Sequence, residues 1–300
     1  MYDNQIIPSA LNYTGSKHKL LPQLLPLFPD DIKNMIDLFA GGGSVSLNLL
    51  NQRELQSCLL NDIDENIISF YSYLSKVDSQ EFVFLVEEKI AQYGLSNTKK
   101  YGYEYYDTTS GAGLAKYNKD KYLKLRSDYN ATKDFVLFYL LIIYGFNNQI
   151  RFNKKNEFNL PVGKRDFNLK MENKIKVFID NLQKSEISFS SLDFREVNSE
   201  ETDFLYVDPP YLISTAAYNE NNSWSKRDEQ DLYQYLDNIS NKKVKFALSN
   251  VILHKGQENE ILKAWASKYN MHLLNYHYNN SNYQSKARYS ETVEVLITNY

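Results

Sequence analysis

A single cysteine, Cys58, among 300 residues excludes an intrachain disulfide and a thiolate cage around a metal. The histidines His18, His254, His272 and His277 form no spaced ligand set and have no paired acid motif beside them, so no resident metal is expected. The chain has no apolar run of roughly eighteen residues and nothing resembling a secretory leader, which makes a cytoplasmic location the expectation. A Gly-x-Ser-x-Gly elbow is also missing, which disfavours nucleophilic hydrolase chemistry. Nor is there an excess of positive charge. With 34 Lys and Arg against 37 Asp and Glu the net charge is −3, so bulk attraction to a polyanion is excluded.

What is present describes a folded globular chain: 43% hydrophobic and 24% charged residues, long enough for two domains or one large domain with an insertion. Positive charge is concentrated locally. Between Lys99 and Arg126 there are seven Lys or Arg against three Asp or Glu, and between Arg151 and Arg165 five against one. A mildly acidic body with basic middle segments could dock on a polyanion with one face, although ordinary solvated helix faces would give the same counts.

Tyr13-Thr14-Gly15-Ser16-Lys17 precedes leucines 20, 21, 24, 25 and 27, which predicts a loop entering a short helix that stops at Pro29. Met35–Phe39 is an apolar run of strand length, followed by Ala40-Gly41-Gly42-Gly43-Ser44 and a helix beginning at Val45. Cys58–Leu60 then predicts a second buried strand ending in Asn61-Asp62, with a helix over Ile67, Ile68, Tyr71 and Leu74. This is a βαβ unit with an acid at the tip of its second strand. From Val77 to Asp180 the pattern is helical, as in Glu81–Ile90 and Asp134–Tyr144. That stretch also contains a Tyr/Gly/Lys-rich segment, 99–121, which matches no motif. Phe152–Phe158, two aromatics flanking a polar turn, predicts a projecting hairpin or loop. Sheet signals return at 187–189, 203–207, 245–248 and 294–298. The expected fold is α/β, with a catalytic domain over 1–76 and 181–300 and an insertion over 77–180.

Three glycines between a strand and a helix let a ligand lie against the backbone, and a carboxylate at the end of the next strand, Asp62, suits two vicinal ribose hydroxyls. The dinucleotide fingerprint needs a further glycine where Ser46 stands, so a nucleoside without a pyrophosphate is favoured. The strongest signal is Asp208-Pro209-Pro210-Tyr211, directly after the apolar run Phe204–Val207. Two prolines stiffen a turn at the carboxyl end of a strand and offer carbonyls without competing N–H groups. An exocyclic amine has two N–H donors, so the Asp208 carboxylate and the Pro209 carbonyl could hold both while Tyr211 covers the flat face of the base. A solvent-facing strand-end turn accounts for one proline better than for the whole tetrad.

With these motifs in this order, the chain resembles the Dam-like, D12 class of DNA adenine-N6 methyltransferases over nearly its full length. The resemblance rests on Tyr13–Lys17, Asp37–Gly43, the insertion, the stretch Phe146–Gly163, Ser191-Leu192-Asp193-Phe194 and Asp208–Tyr211. It implies a Rossmann-like, S-adenosylmethionine-dependent sheet with helices on both faces and a mostly helical target-recognition insertion. By position it implies that Tyr13 and Lys17 contact the cofactor, and that Asp37, Phe39, Gly41 and Gly43 lie beside its methionine end. Asp62 would bind its ribose, and Asp193 and Phe194 would frame its adenine. Asp208, Pro209 and Tyr211 would be the catalytic set, with Asp208 also contacting the cofactor. Arg151, Phe152, Asn153 and Lys155 would enter or flank duplex DNA, with the aromatic and the asparagine filling the gap left by a flipped adenine. Lys164 and Arg165, and also Lys286 and Arg288, would touch phosphates. The implied enzyme is a site-specific adenine methyltransferase, a monomer in solution, metal-free and not bound to membranes, of the kind found in restriction-modification.

Three departures stand out: Tyr13 where the family often has Trp, Asn147-Asn148 where it often has Asn-Gly, and Lys155 where an Arg would contact guanine bidentately. Competing readings are an RNA adenine methyltransferase, a non-catalytic DNA-binding module of the same fold, and a nucleotide-dependent oxidoreductase. Asp rather than Asn at 208 opposes the first, intact Lys17, Asp62 and Asp208 oppose the second, and the missing glycine opposes the third.

Overall fold

The computed structural model describes residues 6–13, 15–184, 186–213, 224–275 and 292–300. In chain order its elements are α1 (Leu21–Leu24), β1 (Asn34–Asp37), α2 (Ser44–Gln52), β2 (Ser57–Asn61), α3 (Glu65–Leu74), α4 (Ser79–Tyr93), α5 (Thr98–Tyr101), α6 (Ala115–Thr132), α7 (Phe135–Tyr144), α8 (Leu169–Leu182), β3 (Glu186–Ser190), β4 (Phe204–Val207), α9 (Lys226–Asn241), β5 (Lys245–His254), β6 (Gln257–Glu258), α10 (Glu260–Ala266), β7 (Asn270–Leu274) and β8 (Thr292–Thr298). They form two compact units. One holds residues 17–69 and the chain from 185 onward, and the other holds 7–16 and 70–184.

The first unit is built on one sheet in the order β3-β2-β1-β4-β5-β8-β7, with β6 paired to β5. β1 through β5 run parallel to one another, while β6 and β8 lie antiparallel to β5 and β8 antiparallel to β7. From β1 the chain progresses outward to β2 and β3 on one side, then returns to β4 and β5 on the other. The switch point therefore falls between β1 and β4, where open α/β sheets bind ligands beyond their carboxyl ends. The register Asp37↔Tyr206 aligns those two ends.

One face of the sheet presents Ile36, Leu205, Val207, Phe246, Leu248, Val295 and Ile297 to Leu232, Leu236 and Ile239 of α9 and Leu262 of α10. The α9 residues recur at helical spacing, which gives it one apolar stripe. Each fully buried Leu contributes roughly 1.5–3 kcal/mol. On the opposite face Phe28 sits 5.4 Å from the Phe204 ring and 5.7 Å from that of Tyr206.

In the second unit α7 reads Phe-Val-Leu-Phe-Tyr-Leu-Leu-Ile-Ile-Tyr and is buried from Val136 to Tyr144, as a helix apolar all round must be. It packs on α4 and α6, and α4 packs on α8. Asp78 caps α4, Asp134 caps α7 and Asn168 caps α8, each accepting from backbone N–H groups of the first turn. Phe70 and Phe138 meet edge to face at 5.4 Å. After α7 the chain folds back through two isolated bridges, Gly145↔Val162 and Phe152↔Phe158. Segment 99–121 contains the end of α5, a 3₁₀ turn at Glu104–Tyr106 and the start of α6, with Tyr101 and Tyr105 exposed and stacked at 4.8 Å.

Candidate active site

The turn after β1 is held from both sides. Leu38 N–H donates to the Tyr206 carbonyl on β4 at 3.0 Å, and Ala40 N–H donates to the Asn61 carbonyl on β2 at 2.8 Å. Gly43 N–H closes the turn on the Ala40 carbonyl at 2.7 Å. Gly41 at φ 47° and Gly43 at φ 66° occupy the left-handed region that side chains disfavour, so the bend requires glycine at both places. Gly43 is also the N-cap of α2.

Three carboxylates gather around this bend. Asp62 is buried; its Oδ2 accepts from Gly41 N–H at 2.8 Å and its Oδ1 from Asp64 N–H at 3.0 Å. Each oxygen keeps a lone pair for a further donor. Burial raises the Asp62 pKa against those two backbone bonds. Asp37, the last residue of β1, is 1% exposed. Its Oδ2 accepts from Ser46 Oγ, while its Oδ1 has no hydrogen-bond partner among the described residues. Burial, opposed by the Ser46 bond and by the nearby Phe39 backbone N–H and aided by the charges of Asp208 and Asp62, pushes its pKa up to about 7.

Asp208 is the third carboxylate, directly after β4. Lys17 Nζ donates to its Oδ2 at 2.7 Å, and the Tyr211 hydroxyl donates to its Oδ1 at 3.0 Å. The same ammonium lies 5.0 Å from the centre of the Tyr211 ring. Burial raises the Asp208 pKa, and Lys17 and Tyr211 only partly offset it. Pro209 is buried, and Tyr211 packs with Ile213 and Val251.

Phe39 and Phe194 lie with ring centres 5.7 Å apart. Asp193 caps the turn Phe194–Glu196, and Arg195 bridges it, with Nη1 3.0 Å from each Asp193 oxygen and Nη2 2.7 Å from Asp228 and 2.8 Å from Asp231. Asn61 fastens the ends of three strands. Its amide donates to the Leu38 and Leu192 carbonyls, and its Oδ1 accepts from the Ser190 hydroxyl and the Leu192 N–H. Asn61, Arg195 and the Lys17–Asp208 pair were outside the roles drawn from sequence.

The structure thus brings Lys17, Asp37, Phe39, Gly41, Gly43, Asp62, Asp193, Phe194, Asp208, Pro209 and Tyr211 into one unit, most of them at the carboxyl edge of its sheet. Tyr13 belongs to the other unit, where it is half-buried and the neighbouring Asn12 donates to the Asn147 carbonyl at 2.8 Å. In that unit Arg151 is exposed and donates to the Asn159 side chain and carbonyl, both at 2.8 Å. Asn153 closes the following turn by accepting from the N–H groups of Lys155 and Glu157. Phe152 is half-buried, 5.5 Å from Phe158 and 6.0 Å from Phe138. Lys155, Lys164 and Arg165 are exposed. Asn147 and Asn148 both adopt φ 53°, a conformation that asparagine tolerates better than other residues with side chains. Lys286 and Arg288 lie outside the described residues.

A mostly parallel sheet flanked by helices, with a glycine bend and an Asp-Pro-Pro-Tyr turn on adjacent strand ends, is the arrangement of an S-adenosylmethionine-type methyltransferase fold. The chain belongs to the D12 class N6 adenine-specific DNA methyltransferases, whose family model matches residues 13–280. It is 37% identical to the Type II methyltransferase M.FokI of Planomicrobium okeanokoites over 99% of its own length, and 36% identical to the modification methylase StsI of Streptococcus sanguinis over 98%. It spans only 43% of the length of each of these relatives. A DNA adenine methylase of Salmonella typhi is 25% identical over 80% of the chain and 79% of that protein.

Proposed function

We propose that this chain transfers a methyl group from S-adenosylmethionine to the N6 amine of an adenine flipped out of a short duplex DNA site. The observation that carries the reading is the shared carboxyl edge of β1 and β4, where the glycine bend and Asp208 lie on paired neighbouring strands.

The residues fit the cofactor. The buried Oδ1 of Asp37, without a hydrogen-bond partner among the described residues, suits an ammonium, and the spare lone pairs of Asp62 suit a ribose diol. Phe39, expected from sequence beside the methionine end, has its ring 5.7 Å from that of Phe194, and we assign it with Phe194 to the apolar walls for the base. When bound, S-adenosylmethionine supplies an electrophilic methyl group on sulfonium. Asp208 and the Pro209 carbonyl accept the two N–H bonds of the adenine amine, which draws its lone pair out of conjugation with the ring. Each Asp208 oxygen already accepts one donor, from Lys17 or Tyr211, and retains a lone pair for the amine. The two fixed donors hold the carboxylate in one orientation and oppose the upward push of burial on its pKa. As the N6–methyl bond formed, the methyl–sulfur bond would break and leave S-adenosylhomocysteine as a neutral thioether; the surplus N6 proton would then pass to the Asp208 carboxylate that accepts it and on to water, so Asp208 is an acceptor first and need not be a strong base. Fixing the orientation of the reacting partners can contribute about 7–11 kcal/mol.

The unit containing α4–α8 reads the target, with Arg151, Asn153 and Lys155 at the turn near bases and Lys164 and Arg165 on phosphates. The Phe152 ring, packed on Phe138 and Phe158, supports that turn. The chain works as a metal-free monomer in the bacterial or phage-infected cytoplasm, where its DNA is. Incubation with duplex DNA and methyl-labelled S-adenosylmethionine, followed by nucleoside analysis, should give labelled N6-methyladenine. Label in no nucleoside, or in cytosine, contradicts the proposal.

A further inference from the structure

We propose that Trp224 forms part of the wall of the cofactor's adenine subsite, and that the buried carboxylate of Glu229 is the positioning residue that sets its indole there. The inference rests on the cofactor reading above and adds two residues to it.

Glu229 occupies the first turn of α9 and is 0% exposed, yet among the described residues no cation is a hydrogen-bond partner of it. Among the described residues its oxygens are met by neutral donors. Trp224 Nε1 donates to Oε2 at 2.8 Å, while Tyr233 Oη, Asn259 Nδ2 at 2.8 Å and Asn250 Nδ2 at 3.4 Å converge on Oε1. A buried carboxylate without a cation is costly, and an apolar residue would fill such a helix position more stably. Its arrangement is informative. Asn250 lies in β5 and Asn259 caps α10, so one side chain ties the indole to the sheet and to two helices.

The indole held in this way is half-buried and lies against the two rings assigned to the adenine. Its centre is 5.7 Å from Phe39 at 84°, and 5.8 Å from Phe194 at 49°. The three rings form a triangle, because Phe39 and Phe194 are themselves 5.7 Å apart. On Phe194 the Arg195 guanidinium stacks at 4.3 Å and joins Asp193 to Asp228. Asp228 in turn closes the capping box with Ser225, the residue after Trp224. Both sides of the aromatic wall are therefore fastened to the first turn of α9. An indole locked by its N–H presents a flat, orientation-specific surface, which core filling alone does not require.

The chain has two tryptophans, Trp224 and Trp265, so W265F leaves Trp224 as the sole indole emitter. Titration of W265F with S-adenosylhomocysteine should shift or quench that emission, with a midpoint matching calorimetric binding. W224F, which keeps a ring but loses the N–H bond, should raise the S-adenosylmethionine KM about threefold, and W224A about tenfold or more, with kcat at saturating cofactor within about twofold. E229Q puts an amide N–H₂ among donors and should raise that KM about tenfold, with the DNA KM unchanged. If E229Q does not fold, W224F and the emission titration carry the test. Unchanged Trp224 emission while calorimetry reports binding, or wild-type KM in W224A, overturns the inference and leaves the cofactor reading intact. Absence of calorimetric binding to the wild-type chain overturns both.

Discussion

Lys17 and Asp208, 191 residues apart in sequence, form an ion pair of 2.7 Å in which the lysine side chain is 5% exposed and the aspartate 17%. This pair connects the N-terminal motif to the Asp-Pro-Pro-Tyr turn and makes them one site. Removing one partner of a buried pair leaves an uncompensated charge, at a cost of about 3–5 kcal/mol.

Lys17→Ala should therefore lower unfolding stability by an amount near the lower end of that range, measured by urea titration. It should also affect pH dependence. Lys17 lowers an Asp208 pKa that burial raises, so its loss raises that pKa further. In the proposed role the ionised carboxylate is the stronger acceptor for the amine, so activity should fall as pH drops through the Asp208 pKa. The acidic limb of kcat in Lys17→Ala should move to higher pH, and an unmoved limb contradicts the assignment.

Asp37 should destabilise the empty protein at neutral and basic pH. Its folded pKa is pushed up to about 7 by burial, above its ordinary value, so the folded state holds this proton more tightly than the unfolded chain. The resulting stability is fully present below about pH 4 and is lost as pH rises to about 7. Asp37→Asn should raise the thermal midpoint at pH 8 and flatten its slope between those limits, while weakening S-adenosylmethionine binding about tenfold or more through loss of an ammonium partner. Scanning calorimetry across pH and a binding titration would check both signs.

The exposed cations of the helical unit divide into two kinds of effect. Lys164→Ala combined with Arg165→Ala should weaken duplex binding across all sequences and reduce the slope of log K against log salt by about 0.9 for each phosphate that is no longer neutralised. Lys155→Ala should instead alter which sites are methylated in a randomised duplex library, with cofactor affinity unchanged. A uniform loss across the library would move Lys155 to the phosphate class.

Much of the sheet and the chemistry was legible from local signals. Strand-length apolar runs, the three glycines and the two prolines mark turns wherever they occur, so β1, β2, β4 and both motifs stood out. The end of β5 did not, because Asn250 interrupts an apolar pattern that the strand continues to His254, its amide being held by a carboxylate from α9. β7, Asn-Met-His-Leu-Leu at the sheet edge, is largely exposed and lacks a buried run. Among site residues, Lys17 and Asp208 were each legible by motif, but their pairing was not, since a contact over that separation depends on the completed fold. Trp224 and Glu229 belong to none of the motifs legible in the sequence. Only tertiary packing buries that acid and turns the indole toward Phe39 and Phe194.

Asp208→Asn keeps the size of the side chain and gives up the charge that accepts from the amine and from Lys17. The decisive experiment for the role of Asp208 is single-turnover methyl transfer to duplex DNA by this variant and by Asp208→Ala, with cofactor and DNA binding measured in parallel. Both variants should fold and bind both ligands, with transfer slowed by about a thousandfold or more. Near-normal transfer in either one would contradict that role.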